Sequence, residues 1–103
     1  MFVIVIVSER KNLEIDDFNQ DELLIIDSTI DFISDIELIY HDKIISFDYL
    51  IIDDLKLCQN LKKTQILIDD NVPVTNFYHQ TSNEYIYYGN IEKCIKHICE
   101  GDY

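Results

Sequence analysis

Carboxylates stand where the apolar runs of this chain end. "FDYLIIDDLK" (47–56) closes a stretch of Leu, Ile and Tyr on Asp53 and Asp54, "QILIDDNVP" (65–73) closes on Asp69 and Asp70, and "ELLIID" (22–27) closes on Asp27. The opening run "FVIVIVSER" (2–10) ends on Ser8 and Glu9. Asp is a poor strand residue and a good terminator, so each of these positions has a local explanation. Their recurrence points further. If the runs are parallel strands, the acids meet on one edge, where they raise one another's pKa unless a cation or basic partner intervenes. The chemistry open to such a group is Mg²⁺ binding by oxygen donors, with Glu9, Asp53 and Asp54 as the candidate ligands.

The elements that would position them follow from the hydrophobic pattern. Residues 2–8, 22–27, 48–53 and 65–69 are continuously apolar and rich in Ile and Val, as expected of strands covered on both faces. "EYIYYGN" (84–90) suits a fifth strand nearer an edge. Ile30, Ile33, Ile36 and Tyr40 follow Ser28 near helical spacing and predict a helix over 29–40, with a hairpin in "IELIYHDKIISF" (36–47) as its rival. Asn90 predicts the start of a closing helix whose apolar face is Ile91, Cys94, Ile95, Ile98 and Cys99, with Gly101 as its stop. Residues 9–21 are too polar for a full helix, 54–63 suit a short one, and 71–83 read as a loop. Strands alternating with crossovers imply an α/β fold: one domain over residues 1–103, with a four- to five-stranded, mostly parallel sheet flanked by helices. Ligands of such sheets bind beyond the strands' carboxyl ends, where strand order reverses.

This order, with "DYLIIDD", "QILIDDNVP" and "EYIYYGNIEKCIKHI", resembles the receiver domain of bacterial response regulators, a flavodoxin-like fold. The resemblance implies Asp53 as the counterpart of the phosphate-accepting Asp. Ser8 and Glu9 stand where that family has an acidic pair for Mg²⁺, Asp69 stands where it ends its fourth strand in Ser or Thr, and Tyr88-Gly89 replaces its Lys-Pro. These departures imply a degenerate receiver that signals through protein contact without phosphotransfer.

Other chemistry finds less support. No glycine-rich phosphate loop occurs, because the chain has two glycines and none follows the first strand. His41, His79 and His97 lack metal-ligand spacing with each other or with Cys58, Cys94 and Cys99, and the last two thiols fall on the expected buried face of the closing helix. Twenty acidic against eight basic residues give a net charge of −12, which repels nucleic acid and anionic membranes and permits a basic protein partner, divalent cations or imitation of nucleic acid. Three cysteines without a pairing framework fit a reduced, cytoplasmic setting, and the opening apolar run is too short to span a bilayer.

The expected function is therefore a non-catalytic regulatory or adaptor domain that binds another protein and needs no cofactor. Phe77, Tyr78, Tyr85, Tyr87 and Tyr88, beside the closing helix, are its expected contact surface, where a homodimer would also form. The alternative is an acidic inhibitor of phage or mobile-element type that imitates DNA. A Mg²⁺-dependent enzyme or phosphoacceptor at Asp53 ranks below both.

Overall fold

The structure, a computed structural model, describes residues 3–10 and 22–100. In chain order its elements are β1 (Val3–Val7), β2 (Glu22–Ile26), β3 (Ile30–Phe32), β4 (Glu37–Tyr40), β5 (Lys43–Ser46), β6 (Tyr49–Ile52), β7 (Cys58–Gln59), β8 (Ile68–Asp69), β9 (Val72–Pro73), β10 (Ile86–Tyr88) and α1 (Ile91–Glu100). Two 3₁₀ turns, Leu55–Leu57 and Leu61–Thr64, flank β7. Among the described residues no helix is long and apolar enough to cross a membrane.

Four strands form a wholly parallel sheet in the order β10-β6-β1-β2. Its central strands are apolar throughout because both faces are covered. The two-residue alternation of β1 divides its side chains between the two layers. Val5 and Val7 point with Leu50, Ile52 and Ile86 into one core, and Ile4 and Ile6 point with Ile51 and Tyr87 into the other. The first core is closed by a second sheet, order β5-β4-β3-β7, which contributes Ile30, Phe32 and Leu38. The second is closed by α1 through Ile91, Cys94 and Ile95. The result is three layers, with the parallel sheet in the middle.

The four parallel strands agree with the α/β expectation, but α1 is the only α-helix among the described residues. Residues 29–40 are not helical. They form β3 and β4, which continue into β5 as an antiparallel meander. The hairpin in 36–47 prevails because Ile30, Phe32, Leu38 and Tyr40 alternate onto the core. His41 and Asp42 supply its two-residue turn with φ of 49° and 62°. "QILID" is not a fourth parallel strand either. Only Ile68 and Asp69 pair, with Val72 and Pro73, around a second turn in which Asp70 and Asn71 have φ of 53° and 64°. Segment 54–63 gives 3₁₀ turns around β7 in place of a helix. Asn90 does open α1: its side chain accepts from Lys93 N at 2.9 Å and its carbonyl from Cys94 N at 3.0 Å. Cys99, expected in the core, is exposed. Most of segment 9–21, and the Gly101 stop, lie outside the described residues.

Candidate functional site: a closed sheet edge and a displayed aromatic turn

Parallel pairing sets Ser8, Asp27, Asp53 and Gly89 at the same ends of β1, β2, β6 and β10. Asp69 and Asp70 are removed from this rim by their hairpin. Strand order reverses between β1 and β6, so the position to inspect is the gap between Ser8 and Asp53.

That gap is closed by hydrogen bonds. The fully buried Ser8 hydroxyl donates to Asp53 Oδ2 at 2.8 Å and accepts from the Arg10 amide at 3.0 Å. Val7 O accepts from the amides of both Asp53 (2.9 Å) and Asp54 (3.3 Å), which draws the chain after β6 against β1. Asp54 faces away from the gap's chemistry, since its Oδ1 accepts from Lys56 N at 3.0 Å and caps the first 3₁₀ turn. Arg10 reaches over to α1 and grips Glu92 with both terminal nitrogens, at 2.9 and 3.4 Å. The hydrogen bond and charge of Arg10 hold the Glu92 carboxyl below the usual carboxylate range. Burial, with Asp53 as a second contributor, pushes the nearby Cys94 thiol up to about 12.

Glu9 is exposed, and among the described residues no three His, Cys, Asp or Glu side chains converge as a metal site requires. Glu9, Asp53 and Asp54 are therefore neighbours on a rim without being gathered into a ligand set.

The five aromatic residues are separated. Tyr87 is 1% exposed and lies under α1, its hydroxyl 2.7 Å from His97 Nδ1 and 3.4 Å from Gln80 Nε2. At Tyr87 the face of β10 is thus covered by the helix. Tyr88 packs on the opposite core. Tyr85 is half exposed beyond the other end of β10, edge-on to Tyr49 at 5.6 Å. Phe77 and Tyr78 stay together, their rings edge-on at 5.5 Å. Phe77 is 90% exposed.

The turn that carries Phe77 is tightly built. Asn76 Oδ1 accepts from the amides of Tyr78 (2.8 Å) and Gln80 (3.0 Å), its Nδ2 donates to Gln80 Oε1 at 2.9 Å, and its amide donates to Gln80 O at 2.9 Å. Tyr78 stacks on His97 of α1 with centroids 4.4 Å apart and planes at 22°. Beside the two rings is an open groove of about 300 Å³, bordered on the helix side by Lys93, Lys96, His97 and Glu100. In sequence the two lysines and the histidine read only as charges suited to a helix end. The i, i+3, i+4 spacing of Lys93, Lys96 and His97 was the signal that they share one helix face.

The chain matches no protein-family model, no curated protein and no solved structure.

Proposed function

We propose that this chain is a non-catalytic regulatory or adaptor domain of the cytoplasm, receiver-like in its central sheet, that works by binding another protein through the turn displaying Phe77. The carrying observation is the almost complete exposure of that ring on a turn fixed by five hydrogen bonds of Asn76, the fifth from the His79 amide to its carbonyl. Burying a Phe side chain is worth about 1.5–3 kcal/mol, so a ring held out in water keeps that gain in reserve for a contact. A rigid turn also lowers the entropy lost when the contact forms. Kinship with receivers is supported by the reversal of strand order at β1 and β6, although β10 follows β6 directly and no strand stands between them. Absence of phosphotransfer is supported by the Ser8 bond to Asp53 and by Tyr88-Gly89 in place of a phosphate-binding lysine.

The test is quantitative affinity capture from the native host with three baits: wild type, Phe77→Ala and Asp53→Asn. The expected result is a protein held by wild type and by Asp53→Asn and lost on Phe77→Ala. With that protein purified, Phe77→Ala should weaken binding by about thirtyfold, the effect of an anchor residue worth roughly 2 kcal/mol. A partner indifferent to Phe77→Ala and lost on Asp53→Asn would overturn the proposal.

The reading as a DNA mimic has one observation in its favour: residues 27–48, mostly the β3–β5 meander, carry six acidic side chains against Lys43 alone. A mimic's partner would be displaced by duplex DNA and lost steeply as salt rises; a partner anchored on Phe77 would resist both.

A further inference from the structure

The meander has an edge that the proposal above does not use. In an antiparallel pair, residues alternate between exchanging both backbone hydrogen bonds with the neighbour and turning both groups away. The two-residue turn makes Tyr40 and Lys43 the first exchanging pair, and Phe47 N donates to Ile36 O at 3.0 Å. Lys43, Ile45 and Phe47 therefore face β4, while Ile44 and Ser46 turn their N–H and C=O groups outward. β5 is terminal in its sheet, and among the described residues no strand adds to that side.

Side chains on the two faces of this edge differ. Lys43 and Ile45 lie on the core side, and Ile45 packs against the core. On the outer side the register aligns Ile44 with Ile39 and Asp31, and Ser46 with Glu37. Ile44 is 65% exposed. A strand laid along β5 would thus meet Lys43 and Ile45 on the core side and Ile44 and Ser46 on the outer side, with the Glu37 carboxylate one strand further in.

We infer that the β5 edge accepts an extended segment of another protein in which Lys or Arg alternates with Val or Ile, adding it to the meander as a further strand. Outward N–H and C=O groups of Ile44 and Ser46 supply the main-chain bonds. The segment's apolar residues extend the core beyond Ile45. Its basic residues lie over the outer face with their aliphatic stems against Ile44 and reach across Ser46 toward Glu37. A second copy of this chain is the wrong occupant, because pairing two β5 edges would bring two acidic meanders together.

The probe is an octapeptide alternating Lys with Val, titrated into the ¹⁵N-labelled full chain. Expected are saturable shifts centred on the Ile44 and Ser46 amides, weakening as salt is raised. The same peptide methylated at every backbone nitrogen keeps its charge but cannot pair, and should bind at least tenfold more weakly. An octapeptide alternating Glu with Val should not bind. Ser46→Pro removes one outward N–H at an edge position that tolerates proline and should weaken binding at least tenfold, with the Phe47–Ile36 bond kept. If that variant does not fold, the methylated peptide decides alone. Equal binding of both Lys–Val peptides, no binding at millimolar concentration, or self-association through β5 would overturn the inference. Phe77→Ala should leave the titration unchanged, so failure here is separable from failure of the proposed function.

Discussion

Ser8 decides what the acidic rim is. A buried hydroxyl that donates to Asp53 and accepts from Arg10 N uses its hydrogen-bonding capacity inside the fold and fixes the carboxylate against β1. Ser8→Ala should lower stability by about 1–3 kcal/mol, the usual effect of leaving partly buried polar groups unmatched, read as a lower urea midpoint at unchanged slope. Cysteine reactivity gives an independent check on the layers. Burial pushes the Cys58 and Cys94 thiols up to about 12, whereas Cys99 is exposed. At pH 8 one thiol should react with a disulfide reagent in the native protein and three in denaturant. The Arg10–Glu92 pair supplies a pH dependence. Because the folded pKa of Glu92 is depressed, its contribution is complete above the unfolded carboxylate pKa and is lost as pH falls through the folded value. Both side chains are about half exposed (47% each), so the effect is small and should disappear in high salt. Glu92→Gln should flatten that part of the acid limb, measured as urea midpoint against pH.

At the scale of elements, two tight turns explain which parts of the fold were readable. The strands β1, β6 and β10 were legible because runs such as "VIVIV" and "YLII" are apolar at every position, which only a doubly covered strand requires. The closing helix was legible from the spacing of Ile91, Cys94 and Ile95 and from Asn90. The meander was not. Ile30, Ile33, Ile36 and Tyr40 satisfy a helical spacing, while Ile30, Phe32, Leu38 and Tyr40 satisfy an alternating one, and a short segment cannot choose between them. His41-Asp42 makes the choice, but without glycine it is a weak hairpin signal. Asp70-Asn71 acts in the same way and leaves two paired residues of an expected strand. The rim was legible only as far as the strands were. The Asp27, Asp53 and Ser8 positions follow from parallel pairing, whereas the Ser8–Asp53 bond depends on side-chain geometry that spacing does not reveal. The turns can be tested directly. Left-handed backbone at residues with a Cβ is strained by about 1–2 kcal/mol each. Replacing His41-Asp42 with Asn-Gly should therefore stabilise the protein by about 1 kcal/mol, seen as a raised urea midpoint.

For the whole molecule, charge and layering act together. A net charge of −12 on 103 residues opposes compaction, and the three layers must outweigh that repulsion. Raising NaCl from low to physiological concentration shortens the reach of exposed charges to about 8 Å and should raise the thermal midpoint. A protein held mainly by surface ion pairs would respond in the opposite sense. The same charge sorts the surfaces: the meander is acidic, while Phe77 stands beside Lys93, Lys96 and Glu100 of α1. Both surfaces are supported by the parallel sheet, whose own carboxyl edge is engaged in holding the layers together.

An NMR titration with Mg²⁺ and beryllofluoride, a mimic of the phosphoryl group, tests most directly whether that edge is so engaged. The expected result is that the Ser8, Arg10 and Asp53 amide resonances stay in place at millimolar ligand, with small non-saturating changes spread over exposed acids. Saturable shifts confined to those three residues and Gly89 would contradict it and return the sheet edge to the role of a reaction site.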